Sequence, residues 1–171
     1  SISIANVDFN EVGGGIAEIY MSNIPSCAYC EDPIYNNINT SWREQKESCE
    51  RPDIGNSTWV VNANLSEGEC AAIPSMADTG GWWFDGYIGG VQIFLTGGKI
   101  TSTSGGSAYE WFDLVSFNSN ADCDADGVAD IGCNLIVGTS FGTNFISAGT
   151  NQLLLSATFT DFDLTEICFA G

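Results

Sequence analysis

The chain contains no histidine, and only four of its 171 residues are Lys or Arg. The first absence removes the side chain that most often serves as a general base and as a metal ligand. The second leaves 22 acidic residues almost unopposed, a formal net charge of −18. Such a surface repels nucleic acid and anionic lipid, so neither is an expected partner. No run approaches the roughly 18 apolar residues of a membrane span, and insertion into a membrane is not expected. A GxSxG elbow and a phosphate-binding glycine loop are also missing. A carboxylate pair such as Asp161/Asp163 could in principle cut a glycosidic bond. Alternating aspartates after a core strand are more simply a solvated edge or a cation site. The chain is therefore not expected to be an enzyme.

What is present reads as a folded, secreted chain. Apolar residues make up 44% and charged residues 15%, a globular balance, and the length suits one domain spanning 1–171. Seven cysteines clustered in short loops imply an oxidising compartment. The first residue is Ser1 rather than Met, which reads as a mature form whose leader has been removed. The expected location is extracellular, at the cell surface.

Short segments of alternating apolar residues, separated by Gly, Ser, Thr and Asn clusters, dominate the sequence and predict antiparallel strands. In Ser1–Phe9, Ile2 and Ile4 share one face while Val7 and Phe9 take the opposite phase, which calls for a bend or bulge near Ala5–Asn6. Ile16–Ser22 follows, with Ala17, Ile19 and Met21 on one face. Further strands are expected at Tyr87–Leu95, Lys99–Ser102, Glu110–Phe117, Leu135–Phe141, Leu153–Phe159 and Glu166–Phe169. Residues 26–85 break the pattern. This stretch holds four cysteines and three of the four bases, and reads as an insertion stapled by disulfides. Within it, Ser41 and Glu44 match a capping box and Pro52 would stop the helix that follows, while Thr58–Ala63 suits a short strand.

The strand order "GGVQIFLTGGKITSTSGG", "VSFN", "LIVGTSF", "ISAGTNQLLLSATF" and "EICF", together with the opening "ANVDFNEVGGGIAEIYMSN", resembles the cohesin-like β-sandwich modules of secreted and cell-surface bacterial proteins. The likeness covers residues 1–25 and 86–171. It implies an all-β fold, an antiparallel sandwich of jelly-roll or cohesin-like type with about eight or nine strands. The chain departs from the family at the 26–85 insertion, at a second insertion over 121–133, and at its end, where such modules run into one more strand. Nothing in it matches the surface by which cohesins bind dockerins, so that partner is not carried over.

The sharpest chemical signal is the acidic loop. Asp122, Asp124 and Asp126 recur at every second position, followed by Gly127 and then Asp130. Alternate carboxylates converging on one hard cation, with a glycine for the tight turn, match the front half of a Ca²⁺ loop. The Val128 carbonyl is a further candidate ligand. The glutamate that closes an EF-hand is absent, so another segment or water must complete the shell. The alternative is a solvated acidic loop tied by Cys123 and Cys133.

Cys27, Cys30, Cys49 and Cys70 make two expected disulfides, with three pairings open; a Cys₄ zinc site and redox chemistry at the CxxC are the other readings. Cys168 is left over. Trp82 and Trp83 are candidates to stack on sugar rings, or else to pin the insertion in place; Trp42, Trp59 and Trp111 read as core or interface. Asn39, Asn56 and Asn64 fit the N-glycosylation pattern. Two functions follow, beside that of a spacer domain with no ligand. In one, the chain is a structural subunit of an extracellular filament, its N-terminal strand (Ile2, Ile4, Val7, Phe9) donated to another copy. In the other, it is a carbohydrate-binding or adhesion module of a larger surface protein, with glycans as partners.

Overall fold

A computed structural model describes residues 1–10, 13–36, 41–76, 78–124, 126–130, 132–162 and 167–169. It is an all-β, sandwich-like fold with short helices, and it divides into two compact units. One comprises Ser1–Asn23 and Tyr87–Gly171, the other Ile24–Gly86.

The first unit is the sandwich. One sheet orders β1 (Ile2–Phe9), β2 (Gly15–Met21), β10 (Gln152–Thr160) and β7 (Lys99–Ser104). The other orders β11 (Cys168–Phe169), β6 (Gly90–Thr96), β9 (Asn134–Thr139) and β8 (Leu114–Asn118). Every pairing is antiparallel. The period-2 pattern decides which residues go inside. Ala17, Ile19 and Met21 of β2, Leu155 and Ala157 of β10, Ile93 and Leu95 of β6, and Ile136 of β9 are all buried. Each large aliphatic removed from water contributes about 1.5–3 kcal/mol, and these side chains form one continuous cluster. Beside it lies the buried amide of Asn134. Asn134 accepts from the Ile100 amide at 2.8 Å and donates to the Leu95 and Gly98 carbonyls, which fastens the turn between β6 and β7.

The phase break in the first strand is real. The β1–β2 register slips between Ala5 and Asp8, and Asn6 takes a left-handed φ of 49°. β1 lies in its own sheet, paired with β2 from Ile2↔Met21 to Phe9↔Gly15. Of the four residues named for donation, Ile2 and Phe9 are exposed and Ile4 and Val7 half-buried; Ile4 packs against the core. One expected strand is corrected. Glu110–Phe117 begins as a helix, α3 (Gly106–Trp111), and becomes β8 only at Leu114. Ala108 and Phe112, four residues apart, both turn into the core, so a helical period hides inside an apparently alternating run. Glu166, the expected start of the last strand, lies outside the described residues.

In the second unit, β3 (Ser26–Cys30) runs between β4 (Trp59–Asn62) and β5 (Trp82–Phe84). Two helices accompany it. α1 (Trp42–Glu50) starts at the expected capping box: Ser41 caps the Glu44 amide, and the Glu44 carboxylate returns to the Ser41 hydroxyl and backbone N–H. Those bonds hold the Glu44 carboxyl below its ordinary range. α2 (Glu67–Ala71) uses a second box, Ser66 with Glu69.

The CxxC explains how the unit holds together. Residues three apart on a strand point to opposite faces. Cys30 therefore bonds Cys49 of α1 on one face, and Cys27 bonds Cys70 of α2 on the other. This geometry separates the two sulfurs, so the CxxC is neither a chelating pair nor a redox pair. The Cys30–Cys49 disulfide sits with Ala28 and Trp59 in a small core of its own, so bonds and burial act together here. Gly81 packs against the other disulfide. A Cβ there would lie 2.8 Å from Cys27 Sγ and 3.1 Å from the Ala28 carbonyl oxygen. Gly81→Ala is predicted to cost about 1–3 kcal/mol, read as a lowered melting temperature.

Candidate functional site

Two places gather chemistry, one in each unit. In the sandwich unit the acidic loop between β8 and β9 is closed at its base. The Cys123–Cys133 disulfide spans it, Ala121 N–H donates to the Cys133 carbonyl, and Asp130 N–H donates to the Ala121 carbonyl. Above that base the first three aspartates converge at the surface, with Asp124 and Asp126 exposed and Asp122 half-buried. Asp122, Asp124 and Asp126 each bring a carboxylate oxygen to within 4.8 Å of the others, a group able to hold a metal ion. The same carboxylates also take backbone donors. Asp122 accepts from Gly127 N–H at 2.7 Å and Asp126 N–H at 3.2 Å, and Asp126 accepts from Val128 N–H. Gly127 has φ +90°, a conformation that strains any L side chain, so the turn needs glycine there.

Asp130 falls elsewhere. Its carboxylate accepts from Cys123 N–H at 2.7 Å and groups with the Cys123–Cys133 bridge rather than with the other three aspartates. It braces the loop, and of the four expected carboxylate ligands three come together. Val128 is 65% exposed, with its side chain in solvent. Asp161 is exposed, and Asp163 lies outside the described residues.

In the second unit the β3–β4–β5 sheet has one face that α1 covers only in part. The register places Ala28 opposite both Val61 and Trp82, and Ser26 opposite Phe84, so these residues share that face. The Cys30–Trp59 end is sealed by Cys49 of α1. The rest is a cleft of about 410 Å³ lined by Ser26, Ala28, Trp42, Val61, Trp82, Trp83 and Phe84. That volume lies within the range of about 300–1,000 Å³ typical of small-molecule sites. Small Ala28 and Ser26 form a low floor, and Trp82, Phe84 and Trp42 form the walls. Trp42 is 44% exposed, not core; it meets Trp59 edge-on at 6.0 Å, and the Lys46 ammonium stands 5.9 Å from its ring centre.

Adjacent strand residues alternate, so Trp82 and Trp83 cannot form one platform. Trp83 borders the cleft from the opposite phase, and the partners of Trp82 are Phe84 and Trp42. Trp59 is buried as expected, whereas Trp111 is 44% exposed. Of the sequons, Asn56, just after a turn, and Asn64, within one, are exposed, and Asn39 lies outside the described residues.

Three disulfides point to an oxidising environment, and no helix among the described residues is long and apolar enough to cross a membrane. No family model, no curated protein and no solved structure matches this chain.

Proposed function

We propose that this chain is an extracellular carbohydrate-binding or adhesion module of a larger cell-surface protein, and that Ca²⁺ rigidifies its sandwich unit. The observation that carries the reading is the aromatic cleft. A pyranose ring presents an apolar face of C–H groups and a rim of hydroxyls. An indole wall over a floor of small residues accommodates the first and leaves the second at the water boundary. The ligand class follows from charge. Among the described residues no basic side chain lines the cleft, and the unit carries ten acids against three bases, all three paired to acids on the surface. Uncharged glycans fit this setting, and anionic ones are repelled. No catalytic role is proposed.

Calcium is the ion the triad suits. Three carboxylates on alternate residues and a positive-φ glycine accepted back by the first of them make a hard, oxygen-rich site. Its role in this reading is to neutralise mutual repulsion and stiffen the loop. The cohesin-like strand order belongs to the same proposal, as does placement at the cell surface.

The test of the cleft is direct. Trp82→Ala should weaken binding of uncharged hexasaccharides (β-linked glucose, mannose or xylose) about tenfold or more, equivalent to about 1.4 kcal/mol or more by calorimetry. Equal affinity in the variant would remove the cleft from the account.

A second reading, filament assembly by strand donation between copies, draws on a different observation. Gly90, Gln92 and Phe94 turn their backbone groups away from β9, and among the described residues no strand pairs with them; β11 covers only Leu95 and Thr96. An extended segment could add there. The donor Ser1–Phe9 would have to leave β2. This reading predicts that deleting Ser1–Phe9 turns assemblies into monomers in sedimentation; unchanged assembly contradicts it.

A further inference from the structure

The Trp82 indole lines the cleft, and a buried amide of α1 bonds it. Gln45 lies on α1 and is 3% exposed. Its Oε1 accepts the indole N–H of Trp82. Its Nε2, also buried, has no hydrogen-bond partner among the described residues. A buried donor without an acceptor is destabilising, a cost that an apolar side chain of equal length would avoid. What Gln45 provides in return is one acceptor aimed at the indole edge. Indole has a single N–H, and with the ring already anchored at its Cβ a bond at that edge restricts how the ring can turn.

The helix carrying Gln45 also carries the opposite wall. Trp42 precedes it by three residues and so lies on the same side of α1. Two further features hold that helix in place: the Cys30–Cys49 disulfide ties α1 to β3, and Trp42 rests edge-on against buried Trp59. One element thus sets both aromatic walls before any ligand arrives. Preorganisation of this kind lowers the ordering cost of binding.

We infer that Gln45 is the positioning residue of the cleft, holding the Trp82 indole in the plane on which a sugar ring stacks. The inference rests on the glycan reading of the cleft, and its test separates the two. The indole ¹H–¹⁵N signals of the wild type are compared with those of Gln45→Met and Gln45→Glu, alongside calorimetry with the same uncharged hexasaccharides. In Gln45→Met the Trp82 indole resonance should move, its proton should exchange at least about tenfold faster, and affinity should fall about tenfold. Gln45→Glu keeps an acceptor oxygen and should restore both properties. An unchanged Trp82 signal in Gln45→Met overturns the inference, as does a moved signal with unchanged affinity. Should Gln45→Met not fold, Gln45→Glu decides alone: a slow Trp82 proton with retained affinity supports the role, and loss of both overturns it. A wild type that binds none of the hexasaccharides contradicts the glycan reading, while the indole signals still decide whether Gln45 sets the ring.

Discussion

Reduction of the chain is expected to unfold residues 24–86 while the sandwich core survives. The two disulfides of the second unit close loops of 43 and 19 residues in sequence separation. On the chain-entropy account they are worth about 4 and about 3 kcal/mol. Against that stands a core of Ala28, Cys30, Cys49 and Trp59, with Tyr35 and Trp82 packed against it. Two of those six residues are the disulfide itself. The sandwich, by contrast, buries Ile19, Ile93, Leu95, Ile136, Ile146, Leu154 and Leu155 without a cysteine among them. The measurement is hydrogen exchange with and without reductant. Amides of β3, β4 and β5 should lose protection by several orders of magnitude, and those of β2, β9 and β10 should keep theirs. Uniform loss, or none, would refute the separate basis of stability argued for the two units.

Calcium removal is expected to lower the melting temperature of the sandwich unit. At a free concentration about one hundred times Kd, a ligand that binds only the folded state stabilises it by about 2.7 kcal/mol. For a unit the size of the sandwich, Ser1–Asn23 with Tyr87–Gly171, that corresponds to roughly 10 °C. The double variant Asp124→Ala, Asp126→Ala removes two of the three clustered carboxylates and should melt at one temperature with or without chelator. Asp130→Ala separates bracing from ligation. Its carboxylate holds Cys123 N–H, so the variant should melt lower yet keep its response to calcium. A wild type indifferent to both calcium and chelator would leave an acidic loop that needs no ion.

The parts of the fold that could be read in the sequence are those in which one face is buried and the other wet. Ala17, Ile19 and Met21, or Val91, Ile93 and Leu95, alternate because the two sides of their strands meet different solvents. The bulge in β1 was visible for the same reason, as a slip in that alternation. The strands β3 and β5 were not. "SCAYC" and "WWF" show no contrast, because a disulfide-linked helix engages each face of β3, while β5 sets bulky aromatics on both of its sides. The α2 helix carried a usable signal, Ser66 followed by Glu69, the same capping box that located α1. The acidic triad was legible as spacing. The separation of Asp130 from it was not, since only the folded loop brings that carboxylate to Cys123 N–H. Trp82 could be singled out as part of an aromatic run. Trp42, Phe84, Ala28 and Val61 join it only through strand register and the docking of α1, which no local pattern encodes.

The central claim is that the aromatic cleft of the second unit binds uncharged sugar rings. The measurement that bears on it most directly is the set of indole ¹H–¹⁵N signals of the five tryptophans during titration with an uncharged hexasaccharide. The account predicts saturable shifts of Trp82 and Trp42, with Trp111 in the sandwich unit unmoved and a hexasaccharide of uronic acid without effect. Shifts confined to Trp111, or no shift at any of the five at millimolar sugar, would contradict it.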